Sequence, residues 1–211
     1  MIEIITLAVG PLQANCHIIY CTDSGEAVVV DPGAEGERIA ETLRERNMKP
    51  TLILNTHGHG DHIAANGTIK EKFKIPLAIH REEAHFLTDP SANYSRYWGV
   101  DILSPPADIL FGEGDRFEVG SNIITALHTP GHSPGGSSFL IENLMLTGDA
   151  LFKMSVGRTD LPDASHKRLI QGIREKILTL PDATRVYPGH GPRTTVGEER
   201  RNNPFLQMVM D

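Results

Sequence analysis

The segment LILNTHGHGDH, residues 52–62, runs from three aliphatic residues straight into His57, His59, Asp61 and His62, with Gly58 and Gly60 between them. The aliphatic part reads as a buried strand that ends at this point. Alternate residues of an extended backbone point the same way, so His57 and His59 can reach one centre. Asp61 and His62 follow a turn that the glycines permit, and can reach a second centre nearby. A lone histidine is usually an ordinary core or surface residue. Three imidazoles and a carboxylate crowded at the end of a strand are different, because buried polar groups without partners are costly. Neutral imidazole and carboxylate suit zinc, iron or manganese, and a donor set without thiolate favours catalysis over structural closure.

Two metal ions need about ten donors, water included, so further ligands must lie elsewhere in the chain. Three segments share one form, an apolar strand followed by a small-residue turn and a single metal-capable side chain. They are HTPGHSPGG (128–136) with His132, MLTGDALF (145–152) with Asp149, and VYPGHG (186–191) with His190. Strand ends opening on one edge of a sheet are where such folds gather their sites. The remaining histidines fit this form less well. His128 closes a strand and reads as a hydrogen-bonding residue that supports the site. His80 ends a strand without a glycine turn, and His17, His85 and His166 read as core or surface residues. Asp31, in VVVDPG (28–33), has two readings, a turn former ahead of Pro32 and Gly33 or a support for a metal ligand.

Strand-like runs recur at Ile2–Leu7, Cys16–Cys21, Ala27–Val30, Thr51–Asn55, Leu77–His80, Ile123–Leu127, Gly136–Ile141, Leu144–Leu146 and Arg185–Tyr187. Glu35–Asn47 and Ser165–Leu180 carry helical spacing, the second with Leu169, Ile173, Ile177 and Leu180 on one face. A short terminal helix is expected around Glu198–Met210. Ser91–Phe111 has little regular pattern and reads as a loop where an active-site lid can lie. One domain of mixed α and β structure over residues 1–211 is the simplest account. A hydrophobic fraction of 39% supports a packed core, and a net charge of −7 without a basic patch argues against nucleic acid. Cys16 and Cys21 stand at odd spacing on one strand and so point to opposite faces, which gives no disulfide framework. The apolar opening MIEIITLAV is short, lacks a basic start and contains Glu3, so it reads as a first strand. With no membrane-spanning run, a cytoplasmic location is the expectation.

Taken together, His57, His59, Asp61, His62, His132, Asp149 and His190 give the chain a resemblance to the metallo-β-lactamase superfamily, with its pattern H-x-H-x-D-H followed by His, Asp and His. Within that superfamily, TGDALF, then GRTD (157–160), then YPGHG look like the glyoxalase II group, the hydroxyacylglutathione hydrolases. The resemblance implies an α+β fold, a four-layer αβ/βα sandwich with the metals at one edge. It implies that His57, His59 and His132 hold one divalent ion, that Asp61, His62 and His190 hold the other, and that Asp149 bridges them. Zinc is the expected metal, with iron or manganese as alternatives. In the β-lactam-cleaving branch a cysteine commonly stands where this chain has Asp149, which sets that branch aside.

The implied reaction is hydrolysis of a small-molecule thioester such as S-D-lactoylglutathione. A water shared by two cations about 3.5–4 Å apart loses its proton near pH 7, and the hydroxide attacks the carbonyl carbon. Asp61 can take up the proton, and Asp149 holds the pair of cations. A thiolate of pKa about 8.5 leaves without a strong general acid. Arg158 falls where glutathione-binding relatives place a cation, and is the candidate substrate-binding residue. Asp160 stands where those relatives often carry an aromatic residue. Longer members draw glutathione contacts from a helical domain beyond the last motif; here only a short terminal helix is expected after YPGHG, so thiol binding is expected to use the sandwich edge or a partner subunit. Lys153 is a further basic residue close to the site in sequence. Two other chemistries fit the same resemblance: a persulfide dioxygenase with a single iron, and a lactonase or other hydrolase of the same fold.

Overall fold

In the computed structural model, which describes residues 1–207, two six-stranded sheets lie face to face. The first contains β1 (Ile2–Val9), β2 (Ala14–Cys21), β3 (Glu26–Val30), β4 (Lys49–Leu54), β5 (Leu77–His80) and β6 (Ile109–Phe111), in that spatial order. Its first three strands are antiparallel neighbours; from β3 to β6 the pairing is parallel. The second sheet is built from β7 (Arg116–Val119), β8 (Asn122–His128), β9 (Ser137–Ile141), β10 (Leu144–Gly148), β13 (Arg185–Pro188) and β14 (Thr194–Thr195). The ribbon β11 (Leu151–Phe152) and β12 (Ser155–Val156) stands apart from both sheets.

Strand alternation explains the layering. Val28, Val30, Leu52 and Leu54 face Phe139, Ile141, Leu144 and Leu146 in a core between the sheets. Their neighbours Ala27, Val29 and Ile53 point the other way, onto Ile39 and Leu43 of helix α1 (Gly36–Glu45) and Ile69 of α3 (Asn66–Phe73). Met145 and Val186 likewise point outward onto Leu169, Ile170, Ile173 and Ile177. Because both faces of the central strands are covered, these strands read as unbroken apolar runs rather than as alternating ones. The result is the four-layer αβ/βα sandwich. Cys16 packs in the outer cluster and Cys21 in the inner one, on opposite faces as the odd spacing requires.

Several expectations need correction. Asp61 and His62 do not follow a turn; they sit on a short helix α2 (Gly60–Ile63), and α3 follows after two residues. The stretch 91–111 contains a turn of 3-10 helix at Ser95–Trp98, and its last residues form the edge strand β6. The helix expected over Ser165–Leu180 is α4 (His166–Gly172), continued by a wider π turn over Ile173–Ile177. The terminal helix is broken at Asn203 into α5 (Val196–Asn202) and α6 (Pro204–Gln207); residues 208–210 of that expectation lie outside the described residues. Among the described residues no helix is long and apolar enough to cross a membrane.

Candidate metal centre

The carboxyl ends of β3, β4, β8, β10 and β13 open on one edge of the sandwich, and each is followed by one of the segments picked out by sequence. The loop after β4 is pinned to the second sheet where Ser137 N–H donates to the Thr56 carbonyl at 2.8 Å. It is pinned to β5 where Asn55 N–H donates to the Ala78 carbonyl at 3.0 Å. The loop after β13 is held from β2. Asn15 N–H donates to the Gly189 carbonyl at 2.7 Å, and the Asn15 side chain donates to the carbonyls of Pro188 and Gly191 at 2.9 Å each. Two glycines permit this crowding. A β-carbon at Gly33 would strike the backbone carbonyl of Asp61, and one at Gly189 would strike the Asp149 carboxylate.

All seven side chains converge. His57, His59 and His132 each place a ring nitrogen within 4.8 Å of the other two, and the donor atoms of Asp61, His62 and His190 do the same. In the first group His132 Nε2 lies 3.0 Å from His59 Nδ1. In the second, His190 Nε2 lies 3.2 Å from Asp61 Oδ2 and 3.3 Å from His62 Nε2. Asp149 stands between the groups. Its Oδ2 is 3.5 Å from His132 Nε2 and 3.6 Å from His190 Nε2, while its Oδ1 is 3.5 Å from His62 Nε2.

The far side of each ring fixes which nitrogen faces the centre. His57 Nδ1–H donates to Thr56 Oγ1 at 3.0 Å, and Thr56 O–H in turn donates to Asp31 Oδ2 at 2.6 Å. His62 Nδ1–H donates to the same Asp31 oxygen at 3.0 Å. His132 Nδ1–H donates to the Arg158 carbonyl at 2.9 Å, and His190 Nδ1–H to the Leu12 carbonyl at 3.1 Å. In all four rings Nε2 is thereby the nitrogen aimed at the cluster, the one whose lone pair a cation would take.

Electrostatics splits the two groups. Burial, reinforced by neighbouring imidazoles, holds His57 and His59 well below the usual histidine range, so both are neutral. Burial acts against charge on His62 too, but Asp61, Asp149 and Asp31 outweigh it and raise its pKa to about 10. His190 is raised for a similar reason, its bond to Asp61 overcoming its burial. Asp61 is correspondingly held below the usual carboxylate range, His62 and His190 outweighing its burial. His57 and His59 are neutral donors, whereas the second group carries positive charge on His62, where a cation could instead sit.

The donors fit a pair of divalent ions. His57 Nε2 and Asp149 Oδ1 are buried without a hydrogen-bond partner among the described residues. Such an orphan costs about 1–3 kcal/mol unless something binds it. Both orphans point into the same cluster, and its nitrogen and oxygen donors without thiolate match an open catalytic site.

The remaining candidates divide. Asp31 unites its two readings: it has φ 50 in the turn after β3, and it accepts from Thr56 and His62. Arg158 lines the cavity above the cluster, its guanidinium paired with Asp160 at 2.7 Å and 2.8 Å. His128 Nε2–H donates to the Pro134 carbonyl in the His132 loop at 2.9 Å, and its ring stacks on His80 with centroids 4.3 Å apart. Lys153 is exposed. Two supporting residues were not legible as such. His17 is buried and donates from Nε2 to the Pro188 carbonyl at 3.0 Å, steadying the His190 turn. Glu83 is fully buried and accepts from Gly58 N–H at 2.9 Å and from Gly135 N–H at 2.8 Å, tying the His57–His59 loop to the His132 loop. A faint signal for Glu83 exists, since it shares helical phase with the apolar Phe86 and Leu87.

Comparison with known proteins agrees with this geometry. The family model described as the metallo-beta-lactamase superfamily matches residues 9–190. The chain is 40% identical over 203 residues to a probable metallo-hydrolase, YqgX, of Bacillus subtilis, covering 95% of each chain. It is 36% identical over 216 residues to the hydroxyacylglutathione hydrolase GloC of Haemophilus influenzae, covering 97% of each. Among solved structures, the BLEG-1 B3 metallo-beta-lactamase superposes with a TM-score of 0.94 at 40% identity, covering 98% of this chain and 100% of that one. TTHA1623, solved in a di-iron-bound form, gives a TM-score of 0.86 at 37% identity, covering 96% of this chain and 100% of that one. Fold, converging donors and relatives over nearly the whole length agree: the chain belongs to the metallo-beta-lactamase superfamily.

Proposed function

We propose that this metallo-hydrolase cleaves a glutathione thioester such as S-D-lactoylglutathione, with two divalent cations as its cofactor. The observation that carries the reading is the position of Asp149, whose carboxylate touches both donor groups at the floor of a cavity of about 570 Å³. His57, His59 and His132 would hold one ion, Asp61, His62 and His190 the other, and Asp149 would join them. Ions so held supply Lewis acidity, which acidifies water and polarises a carbonyl. The nitrogen and oxygen donors suit zinc, and the di-iron form of a relative at 37% identity supports iron as well.

The protein's own groups orient the reaction. Thr56 and Asp31 fix the rings of His57 and His62, so the donors need no rearrangement when the substrate arrives. Asp61 lies on the cavity wall as a carboxylate and is placed to accept a proton from the attacking water. Among the described residues no serine or cysteine lines this cavity, which supports water rather than a side-chain hydroxyl or thiol as the attacking group. A thiolate leaving group, with a pKa of about 8.5, departs without a strong acid. Arg158, on the same wall, meets a carboxylate of the thiol carrier by exchanging it for Asp160.

The likeness to GloC favours the glutathione thioester, and the likeness to a B3 metallo-beta-lactamase makes β-lactam opening the second reading. The test is thiol release from S-D-lactoylglutathione by the metal-loaded protein, with and without chelator, beside a β-lactam ring-opening assay. Chelator-sensitive thiol release is expected. Ring opening without any thiol release would move the assignment to the second reading.

A further inference from the structure

The cavity over the metal centre is not the whole of the pocket. Beside it lies an annex of about 220 Å³ walled by Val9, Leu12, Ala64, Trp98, Val100 and Ile102. Leu12, Asp61 and Trp98 line both spaces, so the annex opens directly beside the donor cluster. Among the described residues Asp61 is the only charged side chain on its wall. At the mouth, Leu12 is 49% exposed, Trp98 46% and Val100 50%, an apolar rim on a surface that otherwise carries net charge −7. Exposed apolar surface gathered at a cavity mouth marks a binding site. Because the annex is an extension of the reaction cavity, its occupant belongs to the substrate.

We propose that the annex seats an unbranched aliphatic arm of the substrate, carried by its acyl group or by its thiol, with the scissile carbonyl at the metal centre. The inference rests on the thioester reading for its reaction but not for its binding site. Among the described residues the annex offers a polar head no charged side chain apart from Asp61, which faces the donor cluster, so a methylene chain is the chemistry the walls accept. Each buried methylene then strengthens binding by about fourfold.

Trp98 is the chain's single tryptophan, and its emission reports on the annex without any turnover. The metal-loaded protein is titrated with n-alkanols from butanol to octanol, which carry no charge to draw them to the ions. The expected result is a saturable change in Trp98 emission, with Kd falling about fourfold per methylene, lost in Ala64→Phe, which fills the annex from an exposed position. No response across the series, or a response unchanged in Ala64→Phe, overturns the proposal. In parallel, kcat/KM is measured on S-acylglutathiones of rising acyl length and on acetyl thioesters of rising alkanethiol length. A rise along one series identifies the part of the substrate that occupies the annex. Turnover of S-D-lactoylglutathione with both series flat overturns the proposal while leaving the thioester reading intact. Alkanol binding with no thioester cleaved at all upholds the aliphatic site and removes the thioester reading.

Discussion

Four imidazoles in this protein are governed by atoms on the side of the ring away from the donor cluster. Thr56, Asp31, and the carbonyls of Arg158 and Leu12 each accept from an Nδ1–H, and so leave Nε2 aimed at that cluster. Asp31 has the widest reach, because one of its oxygens serves both His62 and, through Thr56, His57. Replacing it with alanine frees both rings to turn. Asp31→Ala is expected to weaken metal affinity by about 10–100-fold, as read by competition with a chromogenic chelator, and an unchanged affinity would contradict the role. At this scale the donors were legible and their supports only in part: His128 and Asp31 could be picked out, Asp31 with two readings, whereas His17 and Glu83 could not. His57, His59, Asp61 and His62 announce themselves by crowding. Asp31 sits in a turn where aspartate is common, so nothing local tells a turn former from a hydrogen-bond acceptor.

At the scale of elements, the centre depends on loops from separate strands being held in register. Glu83, in the 3-10 segment Arg81–Leu87, accepts one backbone N–H from the loop after β4 and one from the loop after β8. Burial pushes its carboxyl pKa up, against the Ser133 hydroxyl and the Gly135 and Gly58 N–H groups, which favour the carboxylate. Glu83→Gln keeps the volume but turns an NH2 group toward one of those donors. It should cost about 1–3 kcal/mol in urea unfolding and loosen the ion held by His57, His59 and His132 more than the other. Equal loss of both ions would contradict the staple. Gly33 is a second such point. Gly33→Ala would drive a methyl into the Asp61 carbonyl, and the expected outcome is a loss of about 1–3 kcal/mol together with loss of metal at the Asp61 side. The strands were easier to read than the helices, since runs such as Val28–Val30 and Leu52–Leu54 are apolar on both faces. Helix α2 was hidden because its four residues are mostly ligands and glycine rather than an apolar stripe, and β6 was hidden because a three-residue edge strand leaves no period to detect.

Across the whole molecule, the sandwich sets the charge of its own site. Without metal, His62 holds a proton up to a pH of about 10, and His190 is also raised, whereas His57 and His59 are already neutral. A cation needs the Nε2 lone pair of His62, so loading at a pH between the ordinary histidine value of about 6.5 and 10 must expel that proton. At pH 8 the release should be at least about one proton per chain, measured by titration calorimetry in buffers of different ionisation enthalpy; no release would contradict the assigned charges. The sign of the linked stability follows. The raised His62 stabilises the metal-free fold below pH 6.5 and loses that contribution as the pH climbs through about 10. The lowered His57 and His59 act in the opposite sense, costing stability as the pH falls below their unfolded value. The annex was not legible in the sequence, because Val9, Ala64 and Val100 come from segments far apart and only the fold sets them side by side.

The most direct measurement is metal content by elemental analysis of the wild-type protein and of Asp149→Ala, each purified and then dialysed against metal-free buffer. About two ions per wild-type chain are expected, with most of them lost in the variant, because two cations without their shared carboxylate repel. A wild-type chain with no bound metal, or an Asp149→Ala chain that keeps the full complement, would contradict a paired site built around Asp149.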